Sequence, residues 1–370
     1  MITRLIIENF KAFQYAELNF TELNLLTGIN GVGKSSIIQA LLLLRQSQYT
    51  SVGEPFAGLM LNGPLVTIGL GRDAQNANAD SEYVNFELQF ESYTDTLNAQ
   101  FEFIAESDFL PYASGSHEGN VGDQPLFVES RFQYLNAERK SPSVIFPTSN
   151  YQVQQLRSVG KYGEFAVHFL AQYQREPVVL ASARIAQTNT LIDEVDAWFQ
   201  RISAGTRLTT TYRSDLNVAT LTYRFEAGEN VTPDFTPVNV GFGFTYVLPI
   251  IVAVLAARPG DLLLIENPES HLHPQGQAQL GALLACAAAD GVQLIVETHS
   301  DHLLNGVRVS VKEKNIKPEQ VSVYYFERDP DADEHVTEII QPTIDANGRL
   351  SQQPRGFFDE YARQLDRLLQ

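Results

Sequence analysis

A single cysteine, Cys286, in a chain of 370 residues excludes an internal disulfide framework and a zinc site built from cysteines. Its helical surroundings point to core packing. Basic residues are also few. The 26 Lys and Arg stand against 44 Asp and Glu, a formal net charge of −18, and this argues against a broad sequence-independent grip on DNA, which rests on cations neutralising phosphates. The start, Met1-Ile2-Thr3-Arg4-Leu5, lacks the basic stretch, apolar core and small-residue cleavage site of a secretory signal, so a cytoplasmic protein is expected. No apolar run is long enough for a bilayer. The most apolar, Tyr246 to Ala257, covers roughly a dozen residues before Arg258-Pro259-Gly260-Asp261, so it is expected to be a buried helix, with no membrane partner. Proline-rich and serine-rich tracts are missing too, and 44% apolar and 10% aromatic residues are the composition of a folded protein.

The charge is unevenly spread. From Gly71 to Glu129 the only basic residue is Arg72, so that stretch should avoid phosphate. From Arg131 to Arg224 the balance reverses, with Arg139, Lys140, Arg157, Lys161, Arg175, Arg184, Arg201, Arg207 and Arg213 outnumbering the acids. Any nucleic-acid contact is expected in this middle part of the chain; the alternative is an ordinary solvated face.

The length predicts one large domain with an insertion or a second lobe. Ile2 to Ile7 and Ala16 to Phe20 read as strands, and Leu23 to Thr27 leads into a glycine-rich turn followed at once by the helix-forming run Ser35 to Arg45. Val84, Phe86, Leu88 and Phe90, then Leu97, Ala99, Phe101 and Phe103, alternate with polar residues and predict a hairpin turning near Tyr93 to Thr96. The last third predicts a strand over Leu262 to Ile265, a helix from about Gln275 to Asp290, a strand over Val292 to Val296, a helix from Asp301 and a strand over Val321 to Phe326. These strands are expected to rejoin the N-terminal ones.

Gly28-Ile29-Asn30-Gly31-Val32-Gly33-Lys34-Ser35 fits the Walker A pattern, in which glycines let backbone N–H groups turn inward around phosphate oxygens. Lys34 would reach the β and γ phosphates of ATP. Ser35 would place its hydroxyl on Mg²⁺, and the helix from Ser35 and Ser36 onward aims its amides at the same anion. Leu262 to Ile265 followed by Glu266-Asn267-Pro268-Glu269 reads as a Walker B strand, an apolar run ending in carboxylates. Glu266 is the candidate magnesium ligand. Glu269 is the candidate for activating water, because an amide at Asn267 cannot take a proton.

Glu297-Thr298-His299-Ser300-Asp301-His302 follows the next strand and resembles the switch-histidine segment of ABC-type ATPases, whose imidazole contacts the γ phosphate; the resemblance makes His299 the candidate for that contact. His271, His273, His299 and His302 could alternatively form a metal cluster. Asn239-Val240-Gly241-Phe242-Gly243-Phe244-Thr245 lies one apolar helix upstream of the acidic strand, and Gly241, Gly243 and Thr245 suit contact with a phosphate at a helix start.

The opening Asn9-Phe10-Lys11-Ala12-Phe13 together with Gly28 to Gly31 resembles RecF, SMC and OLD-type ATPases. The runs Ile265 to Pro274 and Glu297 to Gly306, with Gly356-Phe357-Phe358-Asp359, resemble compact bacterial ATPases that end in a domain of unknown function and are met in anti-phage defence loci. The resemblance implies an α/β fold: an ABC-type P-loop head with a mixed sheet flanked by helices, plus an inserted α+β lobe. Residues 1–82 and 236–345 would form the head, 83–235 the lobe and 346–370 the tail of the family-specific domain. It further implies that Gly241, Gly243 and Thr245 act as a signature motif facing the partner's nucleotide, so that a homodimer sandwiches ATP. Asn267 departs from the pattern, since most ABC-type ATPases carry glutamate there. No nuclease constellation follows the head, so a separate effector protein is expected. Two other readings are an ATP-dependent dimerising switch with little hydrolysis and a RecF-like DNA-repair ATPase.

Overall fold

The computed structural model of the chain describes residues 1–48, 56–92, 94–328, 337–352 and 360–369. Tyr93, at the expected hairpin turn, and Gly356-Phe357-Phe358-Asp359 lie outside the described residues. The elements run β1 (Ile2–Phe10), β2 (Phe13–Asn19), β3 (Leu23–Gly28), α1 (Lys34–Ser47), β4 (Gly58–Met60), α2 (Gly71–Ala74), β5 (Tyr83–Phe90), β6 (Thr96–Glu102) and β7 (Phe109–Glu118). Then come β8 (Phe132–Leu135), α3 (Ala166–Tyr173), α4 (Leu191–Ile202), β9 (Thr206–Arg213), β10 (Val218–Ala227), β11 (Asn230–Val231), α5 (Phe242–Ala256), β12 (Leu262–Glu266), α6 (Pro274–Ala289), β13 (Gln293–Glu297) and α7 (Asp301–Lys312). The chain closes with β14 (Val321–Glu327), β15 (Glu338–Ile340) and α8 (Glu360–Leu369). Contacts divide it into unit 1 (Met1–Val128, Ser322–Thr343, Leu350–Gln370) and unit 2 (Glu129–Val321, Ile344–Arg349).

In unit 1, β2, β1, β5, β6, β7 and β4 form a sheet in that order, with every pairing antiparallel. Period-2 patterning decides its inner face: Val84, Phe86, Leu88 and Phe90 on β5 and Leu97, Ala99 and Phe101 on β6 are all buried. The expected hairpin is therefore present, but it is zipped along β1, from Leu5 opposite Leu88 to Ile7 opposite Phe86. The C-terminal strand β14 lies between β15 and β3, so the chain's end does return to its beginning. Helix α1 is buried at Leu41, Leu42, Leu43 and Leu44, all 0% exposed, and each such side chain contributes about 1.5–3 kcal/mol.

Unit 2 is built on parallel strands. β12 lies between β8 and β13, with Leu264 opposite Tyr134 on one side and Ile295 on the other. Strands buried on both faces read as continuous apolar runs, which is the pattern of Leu262 to Ile265 and Leu294 to Val296. An antiparallel sheet of β11, β10 and β9 accompanies them. Helix α5 is buried from Val247 to Leu255, as its apolar run requires, and among the described residues no helix is long and apolar enough to cross a membrane. Cys286 is buried in α6, and burial pushes its thiol up to about 11, which leaves it a packing residue.

Candidate active site

In unit 1, β3 is buried from Leu23 to Thr27 and leaves the core at Gly28. The loop then takes left-handed backbone at three glycines, with φ +140° at Gly28, +80° at Gly31 and +102° at Gly33. Gly28 is also constrained by space, because a Cβ there would lie 2.2 Å from the Phe326 carbonyl oxygen on β14. Asn30 is exposed while Val32 is buried and anchors the loop. Lys34 opens α1 at 3% exposure, and its Nζ donates to the carbonyls of Gly28 (3.1 Å) and Ile29 (2.6 Å), so its charge sits over the loop. Ser36, also buried, donates its amide to Gly33 O at 2.9 Å. No side chain caps α1 and its first turn, which includes Ser35, holds no acid, so the amides and dipole there favour an anion.

In unit 2, the buried run of β12 ends at the half-buried Glu266. Its Oε1 accepts from the hydroxyl of Tyr134 on β8 (2.9 Å) and its Oε2 from the amide of Ala137 just after that strand (3.1 Å), β8 lying beside β12. Burial, and then the Glu266 charge, holds the Tyr134 hydroxyl above the usual tyrosine range, so it remains a donor. An ionised carboxylate has about four acceptor positions, so two hydrogen bonds leave Glu266 able to bind a hard cation such as Mg²⁺. Asn267 follows with φ +44°, a region asparagine tolerates better than most side chains, and its amide donates to Glu297 O at 2.8 Å. Its side-chain Oδ1 is buried without a hydrogen-bond partner.

Glu269 reaches the segment after β13. Its Oε1 accepts from the His299 amide (2.7 Å) and its Oε2 from the Thr298 hydroxyl (2.8 Å), while Ser300 caps α7 by accepting from the Leu303 amide at 2.9 Å. The acidic turn and the histidine segment, 29 and 30 residues apart in sequence, are thereby joined through one carboxylate. The His299 side chain is exposed.

Gly241 is the N-cap of α5, and Gly243 and Thr245 fall in its first turn. A Cβ at Gly243 would lie 2.5 Å from the His271 carbonyl oxygen, whereas one at Gly241 would meet only the Phe244 ring, at 3.9 Å. Thr245 is 3% exposed, so the surface of this turn is made by Gly241 and Phe242. The four histidines are spread over separate tasks, and among the described residues no group of three or more His, Cys, Asp or Glu could hold a metal ion. His271 packs on the Tyr246 ring at 4.7 Å, His273 caps α6, and His302 lies 3.5 Å from Asp301.

The basic middle is altered as well. Arg139, counted among residues open to nucleic acid, is 3% exposed. Arg157 pairs with Glu176, Arg207 with Asp196 and Glu226, and Arg213 with Asp215. Charge counting sees sign but neither burial nor partners. The contacts of Tyr134, Ala137 and Arg139 with the acidic turn escaped the sequence reading for a related reason: no motif marks them, and only the pairing of β8 with β12 sets them against Glu266.

A family model described as "AAA domain, putative AbiEii toxin, Type IV TA system" matches residues 23–305. The chain belongs to this family. Its P-loop is thus that of a nucleotide-binding domain, and residues 316–368 match a second family, a protein of unknown function (DUF3696). No curated protein matches the chain. Among solved structures, this AAA-family chain is similar to an Smc head bound to the C-winged helix domain of ScpA, at 13% identity and a TM-score of 0.54 over 93% of this chain and 98% of that one. It is likewise similar to an Smc head with an extended coiled coil, bound to the C-terminal domain of ScpA derived from Pyrococcus furiosus, at 13% identity and a TM-score of 0.51 over 100% and 99% of the two chains. The fold is that of an SMC-type ABC head, mixed α/β with parallel strands and additional antiparallel sheets.

Proposed function

We propose that this protein binds ATP with Mg²⁺, dimerises through the bound nucleotide and hydrolyses it, and that the cycle controls a separate effector in anti-phage defence. One observation carries the nucleotide reading: three left-handed glycines lead into an uncapped helix whose first residue, Lys34, holds its ammonium over the loop. Lys34 and the Ser35 amide take phosphate oxygens, while the Ser36 amide, engaged by the Gly33 carbonyl, holds the loop to the helix. Ser35 and Glu266 are the residues assigned to Mg²⁺, whose charge would neutralise the phosphates. Glu269 is assigned as the base, Asn267 as the group that would orient the water, and His299 as the candidate contact to the γ phosphate. The family's description supports a defence role, and a nucleic-acid partner is disfavoured by the engaged arginines of the middle segment.

Of the signature candidates Gly241, Gly243 and Thr245, Gly241 is the one assigned to the partner's nucleotide and the position to test, since Gly243 is occupied by its approach to His271 and Thr245 is buried. In a Glu269→Gln background, ATP is expected to double the mass seen by light scattering. Gly241→Glu is expected to abolish that doubling and, in an otherwise wild-type chain, to cut turnover at least tenfold. An unchanged mass with ATP, together with intact turnover in Gly241→Glu, would sink the sandwich. The rival reading, a switch that binds ATP and scarcely hydrolyses it, draws on Asn267 standing where a carboxylate is usual.

A further inference from the structure

We propose that Arg139 is a positioning residue for hydrolysis, its guanidinium fork holding the main chain of Glu266 and Asn267 in the turn from which both side chains project. This rests on the ATPase reading above. Nη2 of Arg139 donates to Glu266 O at 2.6 Å and Nη1 donates to Asn267 O at 3.1 Å. Successive carbonyls of an extended strand point to opposite sides. The left-handed φ of +44° at Asn267, between these two, ends that alternation and lets one planar fork reach both.

A packing role alone does not account for a cation here. Arg139 is 3% exposed and its Nε has no hydrogen-bond partner, so the site is imperfect as a store of stability. Replacing a buried ion by an apolar side chain of similar volume is often neutral or favourable, so a retained buried charge calls for another explanation. Burial lowers the guanidinium to about 10, opposed by the nearby Glu269 and Glu266 carboxylates, and it therefore stays protonated at neutral pH. The same segment also fixes the Glu266 carboxylate, through Tyr134 on one oxygen and Ala137 on the other. Between residues 134 and 139 the chain thus holds both the backbone and the side chain of the residue assigned to magnesium.

The test measures ATP affinity by calorimetry, steady-state turnover and thermal melting for Arg139→Gln, Arg139→Lys and, as a volume-preserving second probe of the clamp, Tyr134→Phe. Arg139→Gln is expected to bind MgATP within threefold of the wild type while kcat falls about 10- to 100-fold, the range usual for groups that orient a ligating residue. Arg139→Lys should recover little of it, since one ammonium cannot reproduce the fork. Tyr134→Phe should lower kcat and raise the magnesium requirement. The proposal is overturned by normal turnover in Arg139→Gln, by full recovery in Arg139→Lys, or by affinity, melting temperature and kcat falling together, which marks a structural role; if the glutamine variant is unfolded, normal turnover and magnesium dependence in Tyr134→Phe overturn the clamp. If the wild type neither binds nor turns over ATP, the ATPase reading has failed and this inference falls with it.

Discussion

Lys34→Ala is expected to lower MgATP affinity at least tenfold and bring turnover to background. Lys34 supplies the positive charge over the glycine loop, and its Nζ is tied to the Gly28 and Ile29 carbonyls, 3.1 and 2.6 Å away. A hydrogen bond to a charged group is worth about 1.5–3 kcal/mol, which corresponds to roughly 10- to 150-fold in affinity. Alanine removes the charge and both loop contacts, so the anion loses its cation and the loop loses a tether. Calorimetry with ATP and Mg²⁺, alongside phosphate release, reads the result. A similar melting temperature without nucleotide would confirm that the loss is local. Unchanged affinity and turnover would mean that the glycine loop is not the phosphate site.

Glu269→Gln is expected to keep ATP binding while cutting single-turnover hydrolysis by about 10²- to 10⁴-fold, the range for a lost general base. The geometry adds a second way for this variant to fail, because the Glu269 carboxylate also accepts from Thr298 and from the His299 amide. Thr298→Val separates the two: it removes the hydroxyl, with its hydrogen bond to Glu269 and the one it accepts from the Ser300 amide, but leaves the carboxylate, and should cost less than tenfold. If it matches Glu269→Gln, the carboxylate serves as a link to the histidine segment and not as the base. Glu266→Gln should weaken magnesium-dependent binding as well as turnover. Asn267→Glu is the decisive gain-of-function variant, and it carries a conformational cost of about 1–2 kcal/mol because the position is left-handed. Normal hydrolysis by Glu269→Gln would refute the assignment; negligible hydrolysis by the wild type with gain in Asn267→Glu would favour the switch.

The fold was legible wherever one short stretch carried its own periodicity or its own glycines. The β5–β6 hairpin, the buried helix α5 and the parallel strands β12 and β13 are each local patterns, and their burial follows them. The family, too, was legible, because Gly28 to Ser35 needs its residue types in one contiguous run. The pairing of β5 with β1 was not, since it joins residues some 80 positions apart, as in the 83-residue gap from Arg4 to Glu87. The same holds for the company of Glu266. Tyr134 and Arg139 lie 132 and 128 residues from the atoms they reach, at Glu266 and Asn267, and nothing at that separation leaves a trace in spacing.

The sequence by itself determined that a glycine loop of the P-loop family is present and singled out Lys34 beside it, because a loop that wraps an anion needs left-handed glycines followed directly by a helix. It likewise determined that carboxylates stand at the end of an apolar strand. Only the tertiary structure decided what those carboxylates are bound to: Glu266 to Tyr134 and Ala137, Glu269 to the histidine segment. It also decided that Arg139 is buried against the Glu266 and Asn267 carbonyls and is not a surface cation, and that Gly243 is pinned by His271 while Gly241 stays open. Composition and spacing encode what each residue can do; burial and hydrogen-bond partners depend on which strands lie side by side, and that is set by the packing of the chain as a whole.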